Sequence, residues 1–269
     1  MKIEKERIDT LLVNKKVVDT REKAKKYIMA GLVYINDERI EKPGTKVPIE
    51  SNIVVNGNPI PYVSRGGLKL EKALNTFSLQ IKDKVAFDVG ASTGGFTDCM
   101  LKNGVKKVYA IDVGYGQLDW KLQNDKRVVV MDRTNVRYLE KEEIEELADL
   151  VSVDVSFISL KLVLPKIKEL TTEDVDIIAL IKPQFEAGRE KVGKKGVVRD
   201  MKVHKEVIKE IYDFCLSIGL NFANLTFSPV KGAEGNREYL AHIVKDNKIN
   251  VFDIYKQIEH VVNESHEEL

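Results

Sequence analysis

Apolar residues in the first 60 positions recur at three and four, then switch to alternation. Ile8, Leu11 and Leu12 set a helical phase over residues 5–13. A second helix is predicted from Thr20 to Ala30, with Thr20 as N-cap, Ala24, Tyr27 and Ile28 on one face, and Gly31 as the stop. Leu32-Val33-Tyr34-Ile35 reads as a strand closed by a turn at Asn36-Asp37. Val47 and Ile53-Val54-Val55 supply further short strands, and Asn56-Gly57 signals a tight turn. Pro59-Ile60-Pro61 breaks regular structure, because two prolines remove two backbone donors. The pattern assigns residues 1–60 to a small α+β domain, 61–66 to a linker and 67–269 to a second domain.

Beyond the linker, a helix fits Leu68 to Thr76, and short apolar strands then alternate with amphipathic helices. Strands are predicted at Val85–Val89, Lys107–Ile111, Val128–Met131, Leu150–Asp154 and Ile177–Ile181. Helices fit Gly95–Lys102, Lys141–Leu147, Ile158–Leu170 and Met201–Ile218. Such alternation implies an α/β fold, a mostly parallel sheet covered by helices on both faces. Asn221–Phe227 and Tyr239–Val244 read as two strands with no helix between them, which predicts an antiparallel pair at the sheet edge.

Composition adds one asymmetry. The net charge is only +1, yet residues 1–74 hold 15 Lys or Arg against 10 Asp or Glu, so the remainder sums to −4. A basic front on a mildly acidic body suits a polyanionic partner, although a solvated surface would look the same. The two cysteines, Cys99 and Cys215, have no metal spacing and lie in apolar stretches, as buried thiols in a reducing cytoplasm would. The N-terminus has no signal-peptide pattern, and no apolar run reaches membrane-spanning length.

The most informative stretch is Val85-Ala86-Phe87-Asp88-Val89-Gly90-Ala91-Ser92-Thr93-Gly94-Gly95-Phe96-Thr97. An apolar strand ends in an acid, and a small-residue loop then opens a helix. Glycines there allow positive φ and close backbone approach to a ligand. No Gly-Lys-Ser/Thr is present, so a phosphate-cradling loop is not indicated. Asp112 ends the next strand, where an acid can accept from ribose hydroxyls, and Asp132 ends the third, where it could meet an adenine amino group. The expected cofactor residues are Asp88, Gly90, Ser92, Thr93, Gly94, Gly95, Phe96, Asp112 and Asp132. A valine at position 94 is expected to crowd the ligand.

Strand four ends in Asp154 and strand five in Lys182, which would meet at the carboxyl edge of the sheet. Desolvation favours the neutral amine of such a lysine and a neighbouring carboxylate opposes it, so its protonation state stays open. A plain ion pair is the alternative. Five segments together carry a resemblance: Ser64-Arg65-Gly66-Gly67-Leu68-Lys69-Leu70, Asp88 to Thr97, Val153-Asp154-Val155-Ser156-Phe157-Ile158-Ser159, Ile181-Lys182-Pro183-Gln184-Phe185-Glu186 and Gly235-Asn236-Arg237-Glu238-Tyr239. Over nearly its whole length the chain resembles the hemolysin A (TlyA) family of rRNA cytidine 2′-O-methyltransferases. The catalytic half is similar to FtsJ-type ribose methyltransferases, and the front resembles the small RNA-binding domain of a ribosomal protein. The resemblance implies a Rossmann-like class I methyltransferase sheet, S-adenosylmethionine as cofactor, ribosomal RNA or ribosomal subunits as partner and no metal. It places a catalytic tetrad on Lys69, Asp154, Lys182 and Glu238. Lys182 is expected to act as base or proton-steering group, Asp154 to hold it, and Lys69 with Glu238 to position the ribose.

Arg7, Arg21, Lys23, Lys25 and Lys26 in the front domain are expected to face RNA phosphates. So are Arg65 and a glycine-containing basic loop with Arg189, Lys191, Lys194 and Lys195. Two rival functions remain open from sequence, an RNA- or ribosome-binding protein without chemistry and a membrane-active hemolysin.

Overall fold

The computed structural model describes residues 4–36, 38–57, 60–245 and 253–269. The chain divides into two units, Met1–Pro61 and Tyr62–Leu269. Residues 62–66, read above as linker, fall in the second unit, where Tyr62 is buried.

The first unit runs β1 (Lys5–Arg7), α1 (Ile8–Asn14), α2 (Arg21–Met29), β2 (Val33–Ile35), β3 (Glu38–Ile40), β4 (Lys46–Pro48) and β5 (Ile53–Val55). Ile8, Leu11, Leu12, Ala24, Ile28 and Val33 fill its core. Each fully buried aliphatic of leucine size there contributes about 1.5–3 kcal/mol. The Thr20 hydroxyl accepts from the Lys23 amide at 3.2 Å, capping α2 as expected. The predicted helix at 5–13 is corrected at its start. Lys5–Arg7 carries no apolar residue in helical phase and pairs instead, antiparallel, with β4. Strand β3, Glu-Arg-Ile, escapes pattern reading because it is short and two of its three residues are charged; it pairs with β2, as β5 does. Asn36 has φ +48, and Asp37 and Pro59 lie outside the described residues.

The second unit comprises α3 (Gly66–Thr76), β6 (Val85–Val89), α4 (Gly95–Lys102), β7 (Lys107–Ile111), α5 (Trp120–Gln123), β8 (Val128–Met131), β9 (Ala148–Val153), α6 (Leu164–Glu169), β10 (Thr171–Ile181), α7 (Pro183–Glu186), α8 (Met201–Ser217), β11 (Asn221–Phe227), β12 (Tyr239–Val244) and α9 (Ile254–Glu268). Its seven-stranded sheet has the order β11-β12-β10-β9-β6-β7-β8. β6 to β10 are mutually parallel, whereas β12 is antiparallel to both neighbours. This is the expected Rossmann-like sheet. The antiparallel strand lies one place in from the edge, which β11 occupies.

Two predicted helices are corrected. Lys141–Leu147 makes only a single 3-10 turn at Lys141–Glu143. The Glu145 amide donates to the Tyr109 hydroxyl, and the carboxylates of Glu145 and Glu146 reach Lys107 and Lys106, so tertiary partners override a run of good helix formers. The span 158–170 splits into a 3-10 turn at Leu160–Leu162 and α6, which has Pro165 in its first turn. Proline lacks the amide that a continuous helix would need, but suits a helix start. Helix α9, absent from the sequence reading, buries Ile254, Ile258, Val261 and Val262 against the sheet core.

Candidate active site

The carboxyl ends of β6, β7, β9 and β10 lie along one edge of the sheet. Because β12 runs the opposite way, its beginning reaches that same edge, with Tyr239 opposite Ile181. This register brings Glu238, just before β12, close to Lys182, just after β10. The last-synthesised strand thus supplies a side chain to the loops of the parallel ones.

Four charged groups meet there. The Lys182 ammonium lies 2.5 Å from Asp154 Oδ1 and donates to Ser156 Oγ at 2.9 Å. Lys69 Nζ, on the first turn of α3, donates to Glu238 Oε2 at 2.7 Å and stands 3.7 Å from Asp154 Oδ2. Glu238 is 3% exposed and Lys182 7%, and each of these water-excluded groups is set against a partner of opposite type. Nζ of Lys182 has four tetrahedral directions. One is Cε, one meets Asp154 and one meets Ser156, which leaves one for another oxygen. All four tetrad residues line a hollow of about 450 Å³. Its wall also holds Gln184, whose Oε1 is buried without a partner, a state that costs about 1–3 kcal/mol until a donor arrives. Phe157, at φ +63 and 90% exposed, tilts against Phe185 at the same hollow, with ring centroids 4.8 Å apart. Ser156, Phe157 and Gln184 lie inside the sequence motifs around Asp154 and Lys182, but no local signal there marks them out.

A second hollow of about 480 Å³ shares Gly90, Ser92, Asp154, Ser156 and Phe157 with the first. Apolar Val89, Ile111, Val136 and Val163 line it, together with Asp112, Thr134 and Asn135. Asp112 accepts from the amides of Ser92 and Gly114, both at 2.7 Å, and so ties the glycine loop to the loop after β7. Gly90, at φ +85, packs so closely that a Cβ would stand 2.5 Å from the Asp154 carbonyl oxygen. An apolar slot ending in a carboxylate suits an adenosine, and the residues present fit one.

The other expected cofactor residues divide. Ser92, Thr93, Gly95 and Phe96 line the first hollow. Asp88 lines it too, but its oxygens are engaged inside the protein by the Thr97 amide and hydroxyl and by the Ser152 hydroxyl. Burial pushes its carboxyl up to about 6 against those hydrogen bonds. Gly94 lines neither hollow. A Cβ on it would strike Leu122 and Leu118, so a valine there disturbs packing before it touches any ligand. Asp132 also lines neither hollow and accepts instead from the Gly116 amide at 2.9 Å. Thr134 and Asn135, just after Asp132 in sequence, line the second hollow instead.

The expected RNA contacts divide as well. Arg7 and Arg21 both turn to Asp9, a fully buried carboxylate, each at 2.9 Å. Arg7 is the main cause that holds the Asp9 carboxyl far below the usual range. Lys23 pairs with Asp19. Lys25 and Lys26 stay exposed. In the second unit Arg65 lines the first hollow, while Lys191, Lys194 and Lys195 line a separate basic hollow with Arg199. Arg189 is exposed at the 3-10 turn preceding it.

Residues 62–245 match the FtsJ-like methyltransferase model, and residues 6–59 match the S4 domain. A Bacillus subtilis protein provisionally named an rRNA methyltransferase is 54% identical over 244 residues, 90% of this chain and 87% of that one. The 16S/23S rRNA (cytidine-2′-O)-methyltransferase TlyA of Mycobacterium tuberculosis is 42% identical, covering 87% of both chains. A solved structure from Streptococcus thermophilus, provisionally described as a hemolysin, superposes with a TM-score of 0.78 at 46% identity, over 99% of this chain and 98% of the other. The chain therefore belongs to the FtsJ-like methyltransferases and, within them, to the S4-domain-bearing TlyA family.

Proposed function

We propose that the chain transfers a methyl group from S-adenosylmethionine to the ribose 2′-hydroxyl of a nucleotide in ribosomal RNA, with cytidine as the base. The observation that carries this reading is the Lys182–Asp154–Lys69–Glu238 chain of charges on the wall of one hollow that opens into a second of nucleoside character. Bound in the second hollow, the cofactor supplies a methyl group already activated as a sulfonium. Asp112 would hold its ribose, and Asn135 with Thr134 would face its adenine.

The protein's remaining task is to orient the 2′-oxygen and remove its proton. The free tetrahedral direction of Lys182 Nζ serves both. As an amine it offers a lone pair to the hydroxyl proton; as an ammonium it offers a hydrogen to the oxygen. Asp154 and Ser156 fix that direction. Lys69, held by Glu238, stands on the opposite side of Asp154 and positions the sugar. Gln184 Oε1 gains a donor when a nucleotide enters. Phe157 offers an exposed ring for the base to stack on, worth about 1–3 kcal/mol. In the S4 unit, Lys25 and Lys26 face phosphate and supply salt-dependent affinity. The two buried thiols suit a reducing cytoplasm. Among the described residues, no helix is long and apolar enough to cross a membrane.

The test is transfer of tritiated methyl from the cofactor to purified ribosomal subunits that lack the modification, followed by mapping of 2′-O-methyl positions. A new 2′-O-methylcytidine that vanishes with Lys182→Ala is expected. Incorporation at a base atom, or none with any subunit, would overturn the reading.

A further inference from the structure

We propose that the loops after β7 and β8 form a second RNA-contact surface built from Tyr115, Arg133, Arg137 and Tyr138. The inference rests on the reading of the chain as an RNA-modifying enzyme and adds to it a docking face that the sequence did not indicate.

Both tyrosines are 70% exposed, which is unusual for side chains of this size. Each carries an arginine on its ring face. The Arg133 guanidinium lies 4.3 Å from the Tyr115 ring centroid, and that of Arg137 lies 5.2 Å from Tyr138. Neither arginine pairs with a carboxylate among the described residues, whereas Lys106, Lys107 and Arg127, at the opposite ends of β7 and β8, all do. Unneutralised guanidiniums beside exposed aromatic faces are the chemistry that takes phosphates and unstacked bases together.

The surface is also preformed. Arg133 holds a left-handed backbone at φ +54, a conformation costing about 1 kcal/mol or more for a non-glycine residue. Three ties between the loops fix it there: the Arg133 amide to the Gly114 carbonyl, the Thr134 amide to the Asp112 carbonyl, and the Gly116 amide to Asp132. Asp132 therefore shapes this platform. The same loops carry Asp112, Thr134 and Asn135 into the adenosine hollow, so the platform adjoins the cofactor's outer end.

Its placement complements the basic loop at 189–195. That loop follows β10, and the platform follows β8, four strand spacings away along the same sheet edge, or about 20 Å. The catalytic groups on β9 and β10 lie between the platform and the sheet's far side. An RNA strand entering the first hollow can thus be gripped on the β8 side as well as by the basic loop.

The test compares full-length wild type with the Arg133→Gln/Arg137→Gln and Tyr115→Leu/Tyr138→Leu variants. Three quantities are measured: binding to unmodified ribosomal subunits across a salt series, the KM and kcat of methyl transfer, and cofactor affinity by calorimetry. The arginine variant should bind subunits at least tenfold more weakly, with the slope of log K against log salt reduced by about 2. KM should rise in step, while kcat and cofactor affinity stay within twofold. The tyrosine variant should weaken binding with the slope unchanged. Wild-type affinity and slope in both variants would overturn the surface while leaving methyl transfer intact. Weakened binding by the variants, with a wild type that binds subunits but transfers no methyl, would instead sink the catalytic reading and leave the surface standing.

Discussion

Lys69 and Glu238, 169 residues apart in sequence, meet at 2.7 Å on the wall of the hollow that Asp154 and Lys182 also line. One sits at the start of the second unit's first helix and the other at the start of its last strand. Glu238→Gln should therefore keep its shape but lose half of an ion pair, leaving Lys69 to turn toward Asp154. The expected result is a fall in kcat of about 10-fold or more with cofactor affinity unchanged, read by single-turnover methyl transfer and calorimetry. Unaltered turnover would remove Glu238 from the catalytic set.

Lys182→Ala should slow methyl transfer by about 10²–10⁴-fold. Its stability cost should be about 1–3 kcal/mol, because Asp154 keeps Lys69 and is one-fifth exposed. Lys182→Arg separates two roles. A guanidinium stays protonated and cannot accept a proton, so a base role predicts failure and a fixed-charge role predicts retained turnover. Turnover and denaturant midpoints together decide it.

Asp88 gives a pH signature. Burial raises its carboxyl from 3.8 to about 6 in the folded chain. The folded state therefore binds the proton more tightly than the unfolded one. The stability linked to that proton is complete below about pH 4 and is lost as pH rises through about 6, by up to about 3 kcal/mol. Asp88→Asn keeps an acceptor for Thr97 and never ionises. Its unfolding free energy should lose this fall between pH 4 and 6, which chemical denaturation across that range would show.

In the S4 unit, two kinds of cation should behave oppositely. Arg21→Ala strips a partner from buried Asp9 and should lower the thermal midpoint of that unit, with the salt slope of RNA binding reduced little. Lys25→Ala/Lys26→Ala should leave the midpoint unchanged and reduce the salt slope by up to about 2. Identical behaviour in both experiments would mean that the Asp9 clamp does not distinguish them.

Phe157→Ala removes an exposed ring and should cost little stability. If the ring receives the target base, RNA binding or kcat should drop by about 5- to 150-fold, the equivalent of about 1–3 kcal/mol. No change in either would leave Phe157 as a bystander.

What could be read from the sequence follows a physical division. The strand-acid-glycine loop at 88–96 was legible because its chemistry is local, with glycines where φ turns positive or backbones nearly touch. Lys182 and Glu238 were legible through motifs, although only the register of β12 on β10 explains their meeting. The Arg7–Asp9–Arg21 clamp was not legible, since charge counting treats every arginine as free. Asp132 shows a related limit: a strand-end acid marks a loop, but whether it faces a hollow or a neighbouring amide depends on the next loop's path. Pro165 did carry a readable signal for the break before α6, and Ile254, Ile258, Val261 and Val262 carried one for α9, diluted by the charged residues around them.

The insertion of β12 between β10 and β11 has a consequence for the order of events on the ribosome. Chains emerge from the N-terminus, and parallel strands β6 to β10 can pair as they appear. Glu238 cannot take its place beside Lys69 until residues 239–244 have emerged and paired with β10 and β11. A nascent copy whose chain has emerged only as far as β11 therefore holds the glycine loop after β6 without the Lys69–Glu238 pair. The group of four charges around Asp154 is complete only once this strand, the last among the described residues, is paired in the sheet.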